Sequence, residues 1–153
     1  MVCMSKNKDN QILTLLVNNP GISQKEIAKN LGVSPPAINN RIQRMRKKGI
    51  IKGFVPLIDL GKLGFELTAI VKIRVKGAKF REAAEFLVKE KHVCSVYMIT
   101  GEHDVLAVAK FKHMSEMDQW TQDILKKTDV IERTSTSVVF DPFKESTVPN
   151  EIY

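Results

Sequence analysis

Acidic residues are nearly absent from the first third of this chain. From Met1 to Pro56 there are ten Lys/Arg against two Asp/Glu, whereas Leu57 to Tyr153 holds fourteen basic and fifteen acidic residues. The net charge of +7 therefore belongs wholly to the N-terminal segment. Such asymmetry predicts two domains, the first facing a polyanion, unless it is only a solvated basic face. Cysteine is scarce as well. Cys3 and Cys94 form no disulfide framework and no metal or redox spacing, so reduced thiols in a cytoplasmic protein are expected. No apolar run reaches the ~18 residues of a membrane helix, and the opening MVCMSKNKDNQ lacks the apolar stretch of a secretory signal. His92, His103 and His113 make no HxxH or HExxH spacing. There is no G-x-S-x-G and no glycine-rich phosphate loop, so neither a metal, a cofactor nor catalysis is expected.

What is present begins with three helical patterns. Ile12, Leu15 and Leu16 recur at i, i+3, i+4, and the pattern stops at NNPG. Ser23 followed by Glu26 has the spacing of a capping box, and Ile27, Ala28 and Leu31 give that second helix its inner face. Gly32 suits the left-handed residue that ends a helix. Only GVS separates it from a third pattern, the arrangement of a helix-turn-helix.

The third stretch, SPPAINNRIQRMRKKGI, contains no carboxylate. Ser34 is expected to cap it, and because Pro36 disfavours helical geometry at Pro35, the helix is expected to start at Pro36. Ile38, Ile42 and Met45 share one face. Asn39, Asn40, Gln43 and Lys47 are expected opposite, with Arg41, Arg44 and Lys48 on the flanks. Amide side chains can pair with adenine edges in the major groove, and arginines with guanine or phosphate. Asn39 and Arg41 are therefore expected to read bases, and Arg44, Arg46 and Lys47 to hold phosphates. A basic surface helix of an ordinary bundle is the plainer alternative. Ile50, Ile51, Phe54 and Val55 then suggest a short extended segment, either a wing or a linker strand that pairs with a partner subunit.

The remainder reads strand, helix, strand, strand, helix, strand. Leu67, Ala69, Val71, Ile73 and Val75 alternate with mostly polar neighbours. Phe80, Ala83, Ala84, Leu87 and Val88 follow helical spacing, as do Met117, Trp120, Thr121, Ile124 and Leu125. VCSVYMIT and DVLAVAKF read as strands joined by a GEHD hairpin loop, and IERTSTSVVF as the last strand. The order βαββαβ is the ferredoxin-like pattern. Its helices cover one sheet face, yet Tyr97, Ile99, Leu106 and Val108 sit among apolar neighbours on both strand faces. A second sheet on the open face, in a homodimer at least, is expected.

ISQKEIAKNLGVSPPAINNRIQRMRKKGIIKGF, VYMITGEHDVLAVAKF and VIERTSTSVV, in this order along nearly the whole chain, resemble the Lrp/AsnC (feast/famine) family of prokaryotic regulators. The paired prolines depart from that family's usual recognition helix. The resemblance implies an α/β two-domain protein. Residues 1–56 would be a winged-type helix-turn-helix domain with a linker strand. Residues 57–153 would be a ferredoxin-like domain for ligand sensing and oligomerisation. It implies double-stranded DNA, a free amino acid and further copies of the chain as partners, in dimers assembling to tetramers or octamers, with no membrane. An architectural DNA protein with little sequence choice is the alternative. The DNA contacts it selects are Ser23, Gln24, Lys25, Ser34, Pro36, Asn39, Asn40, Arg41, Gln43, Arg44, Arg46 and Lys47.

For the effector, Gly101 permits close backbone approach, and Asp104 offers a carboxylate to an α-ammonium group. Thr100 and the row Thr134, Ser135, Thr136, Ser137 offer hydroxyls and amides for a carboxylate or polar side chain, and a polar amino acid such as glutamine is expected. With Glu102 and His103 of the same loop, Thr100, Gly101, Asp104, Thr134, Ser135 and Thr136 make up the candidate effector site. A hairpin beside an edge strand kept polar against pairing is the bland alternative.

Overall fold

The apolar repeats of the N-terminal segment become three helices in the computed structural model, which describes residues 3–146 and 148–149, with side chains from Lys8 onward. They are α1 (Cys3–Asn18), α2 (Gln24–Leu31) and α3 (Pro35–Lys47). Ile12, Ile27, Ala28, Ile38, Ile42, Met45 and Ile51 form their common core, flanked by Leu15, Leu16 and Leu31. Burying each large aliphatic side chain contributes roughly 1.5–3 kcal/mol. The local signals agree with this packing. The Ser23 hydroxyl accepts from Glu26 N at 3.2 Å, and Glu26 Oε2 accepts from Ser23 N at 2.9 Å. The Ser23 backbone amide first, and the Ser23 side chain second, hold the Glu26 carboxyl below its ordinary value. Gly32, at φ 62°, closes α2, with Val33 N reaching Ala28 O and Gly32 N reaching Lys29 O. That is the Schellman pattern.

The start of α3 differs from expectation on two points. The helix begins at Pro35, not Pro36, and the Ser34 side chain makes no capping bond. Pro35 and Pro36 fill the first two helical positions and have no N–H, so two of the four unpaired donors of the helix start, one of them a usual cap partner, do not exist. Ser34 keeps the extended backbone that precedes proline, at ψ 148°. The cost of placing Pro35 in the helix is met by seating Ile38, Ile42 and Met45 inward. After α3, Ile51 is buried, but Phe54, Val55, Leu57 and Ile58 are exposed. Among the described residues this segment joins no sheet, so the chain by itself gives it no ladder partner.

A second compact unit spans Asp59–Phe143, while the described residues from Lys144 onward cluster with those up to Ile58. It contains β1 (Leu67–Val75), α4 (Phe80–Val88), β2 (Val93–Met98), β3 (Val105–Phe111), α5 (Met114–Lys127) and β4 (Ile131–Val138). The sheet order is β2-β3-β1-β4, antiparallel throughout. Ala69, Val71, Ile73 and Val75 of β1 and Val105, Ala107, Ala109 and Phe111 of β3 pack against Leu87, Trp120 and Ile124 of the helices. The period of two sends Ile70, Leu106, Val108 and Tyr97 to the opposite face, which no helix of this unit covers.

Candidate nucleic-acid interface and effector loop

The surface of α3 follows from its burial. With Ile38, Ile42 and Met45 inward, residues spaced at about 100° put Pro36, Asn40, Gln43 and Lys47 on the outward side. All four are exposed. Asn39 lies nearer the flank, half-buried, where Gln24 Nε2 donates to its Oδ1 at 3.5 Å. Ser23, Gln24 and Lys25 are exposed at the start of α2, so that contact brings the two helix starts together. Arg46 takes the Asn39 flank, its guanidinium 5.2 Å above the Phe54 ring.

The opposite flank holds a feature that sequence reading missed. Asp9 of α1 accepts from Arg41 Nη1 and from Arg44 Nη2, each at 2.7 Å, one on each carboxylate oxygen. Partial burial pushes the Asp9 carboxyl up, but the two hydrogen bonds and the positive charges outweigh it, and the group lies below its ordinary 3.8. Arg41 is thus drawn toward α1 and away from the outward face. The base-reading role expected for it belongs to a residue whose guanidinium is already bonded within the chain. The available signal was that Asp9 and Glu26 are the only acids before Pro56, and Glu26 is used in the α2 cap.

In the second unit the loop between β2 and β3 is fastened at several points. Ile99 N donates to Asp104 O and Asp104 N donates to Ile73 O, both at 2.9 Å. The Asp104 carboxylate accepts from Val75 N at 2.9 Å. This bond falls where the β1–β4 register shifts, between Arg74 and Val75. Arg74 Nη1 donates to the Glu102 carbonyl, and Arg133 Nη2 pairs with Glu102 Oε1 at 3.2 Å. Gly101, at φ 113°, occupies a backbone region that a side chain would strain. Thr100, Gly101 and Glu102 are exposed, with His103 and Asp104 half-buried.

The hydroxyl row is divided. Ser135 and Ser137 pair with Lys72 and Ile70 and share the open sheet face, while Thr134 and Thr136 pair with Ile73 and Val71 and turn toward the helices. Thr136 Oγ1 is buried without a hydrogen-bond partner. β4 is an edge strand in the single chain, as the polar row suggested. The loop and β4 flank β1 on opposite sides, about 10 Å apart as two strand spacings, and Arg133–Glu102 spans that gap. Arg74 and Arg133 were missed because charged residues on a half-open strand look like ordinary solvation. A surface cavity of about 600 Å³ lies instead on the helical side, beside His92, His113 and Trp120, and none of the expected effector residues lines it.

Comparison with known proteins agrees with both halves. Residues 6–52 match a family described as winged helix-turn-helix DNA-binding, and residues 68–149 match the Lrp/AsnC ligand binding domain. An HTH-type transcriptional regulator of Pyrococcus furiosus is 39% identical over 137 residues, covering 90% of this chain and 92% of that one. HTH-type transcriptional regulator FL11 of Pyrococcus horikoshii is 31% identical over 139 residues, 91% of each. Among solved structures, E. coli AsnC superposes with a TM-score of 0.86 at 26% identity, covering 93% of this chain and 96% of that one. A transcriptional regulator of Neisseria meningitidis, solved as an L-Met complex, has a TM-score of 0.87 at 24% identity, covering 95% and 97%. These families and relatives are regulators of transcription rather than enzymes, and this chain, with a DNA-binding helix-turn-helix joined to their ligand-binding domain, belongs to the Lrp/AsnC family of transcription regulators.

Proposed function

We propose that the chain is a sequence-selective regulator whose DNA affinity and assembly respond to a bound amino acid. The observation that carries the DNA half is the outward face of α3, where Asn40, Gln43 and Lys47 stand exposed with no acid among them. In this reading α3 enters the major groove. Asn40 and Gln43 meet base edges, with Asn39 at the margin, and Arg46 and Lys47 hold phosphates. Ser23, Gln24, Lys25 and Ser34 lie at the helix starts and touch the backbone alongside. The open sheet face with Ile70, Leu106, Val108 and Tyr97, and the unpaired segment with Phe54 and Val55, meet a second copy. The dimer then presents two α3 helices to half-sites about one helical turn, ~34–36 Å, apart. Dimers assemble further into tetramers or octamers in the cytoplasm.

The effector is an amino acid held by the loop Thr100–Asp104 and, from β4, by Ser135 on the open sheet face, since Thr134 and Thr136 turn toward the helices. The hydroxyls that β4 carries favour a polar ligand such as glutamine. The matched ligand-binding domain supports a small effector, and the L-Met of the Neisseria complex supports an amino acid as its class.

The DNA half is tested on duplexes selected from a random pool. Asn40→Ala is expected to cost ~1–3 kcal/mol on the selected duplex and to relax base choice at one position. Lys47→Ala is expected to weaken selected and random duplexes alike and to make the salt dependence shallower. Equal losses for Asn40→Ala on both duplexes would remove it from base reading and favour an architectural protein.

A further inference from the structure

The acid least expected on a DNA-facing unit is Asp9. Its two oxygens take one hydrogen bond from each of two arginines on the same helix, three residues apart. Bonds of 2.7 Å to ionised partners are of the strong, charge-assisted kind. A carboxylate bound in this way offers the arginines what a DNA phosphate offers, a compact anion with several acceptor oxygens. The two arginines are not equally held. Arg41 is 26% exposed and lies against α1, whereas Arg44 is 46% exposed and lies one turn from both Asn40 and Lys47 on the outward face.

We propose that Asp9 is a resident competitor for DNA phosphate: it occupies Arg44 in the free protein and so sets the overall DNA affinity below what the basic charge of α3 would give. It acts through Arg44 and is a positioning residue, with no contact to bases of its own. Because the contact it withholds is to phosphate and carries no base information, the effect is the same on every duplex. Base choice stays with the outward amides. The inference rests on the reading of α3 as the DNA-facing helix.

The test measures affinity against salt for the full-length protein on one selected and one random duplex. Asp9→Asn keeps the side-chain shape and an acceptor for Arg41 but removes the charge that holds Arg44. It is expected to tighten binding to both duplexes by the same factor and to steepen the slope of log affinity on log salt by about 0.9 per bound protomer, one added phosphate contact. The gain then shrinks roughly threefold to fourfold between ~50 and ~200 mM salt, as that slope requires. Adding Arg44→Gln to Asp9→Asn is expected to return the slope to the wild-type value. Arg44→Gln alone needs no change at Asp9 and keeps the test open if Asp9→Asn does not fold. It is expected to leave the wild-type slope within a few tenths, whereas loss of a full unit would mean that Arg44 already holds a phosphate. That result, or an unchanged slope with weaker binding for Asp9→Asn, would overturn the proposal and leave Asp9 as a strut between α1 and α3. Lys47→Ala, measured beside them, separates the two claims: if its slope is unchanged, the DNA-facing reading of α3 fails whatever Asp9 does.

Discussion

At the scale of single residues, Asp9, Glu26, Asp104 and Glu116 are each bonded to arginines or backbone amides. Asp9 is the clearest case for a pH test. Its carboxyl lies below 3.8 in the folded protein, burial being outweighed by Arg41 and Arg44. A depressed carboxyl contributes stability that is fully present above the unfolded value and is lost as pH falls through the folded one. Wild type is therefore expected to melt higher than Asp9→Asn at pH 7, with the difference held above the ordinary carboxyl value of 3.8 and lost as pH falls through the lower folded value. Thermal melts of both across that range check it; a difference that persists at the acid end would show that the Asp9 charge is not its source. The residue scale was also where sequence reading was weakest. The Asp104 carboxylate, which the sequence offers to an ammonium group, also receives Val75 N on one of its oxygens. Neither that bond nor the Asp9 pair can be inferred from spacing, because each joins residues about thirty positions apart.

At the scale of elements the sequence was far more legible. Helical spacing and the alternation of β1 were legible because an element that buries one face imposes its period on the sequence. The remaining strands of the described residues were legible from their apolar runs between turn residues. The α2 signature was legible for the same local reason, and it gives a direct prediction. Ser23→Ala is expected to remove the bond to Glu26 N and cost about 1 kcal/mol, visible as a lower denaturant midpoint at unchanged slope, while a neutral result would mean that water replaces the cap. The α3 start was misread because two rules competed there. Proline favours the first helical turn, but a following proline disfavours helix, and packing of Ile38, Ile42 and Met45 decided the outcome. The segment after α3 was read as extended from its apolar residues. Among the described residues it forms no ladder.

At the scale of the whole molecule, the chain divides into two compact units, one with the helix-turn-helix and one with the ligand-binding fold. The effector loop is tied to β1 through Asp104 and to β4 through Glu102 and Arg133. A ligand that disturbs these ties can alter the open sheet face between them, and with it the way copies assemble and space their α3 helices. Coupling of this kind, if the proposed response holds, is reciprocal: DNA that favours one assembly would also tighten the effector. Linking several helix pairs multiplies a modest single-site affinity by avidity.

One titration tests the amino-acid response of this chain most directly. Fluorescence anisotropy of a labelled selected duplex would be followed against protein concentration, alone and with each of the twenty amino acids at saturation. The predicted result is that one amino acid, of polar side chain, shifts the midpoint by about 5–150-fold, the range of a 1–3 kcal/mol coupling. Superposable curves for all twenty would contradict an amino-acid-responsive regulator.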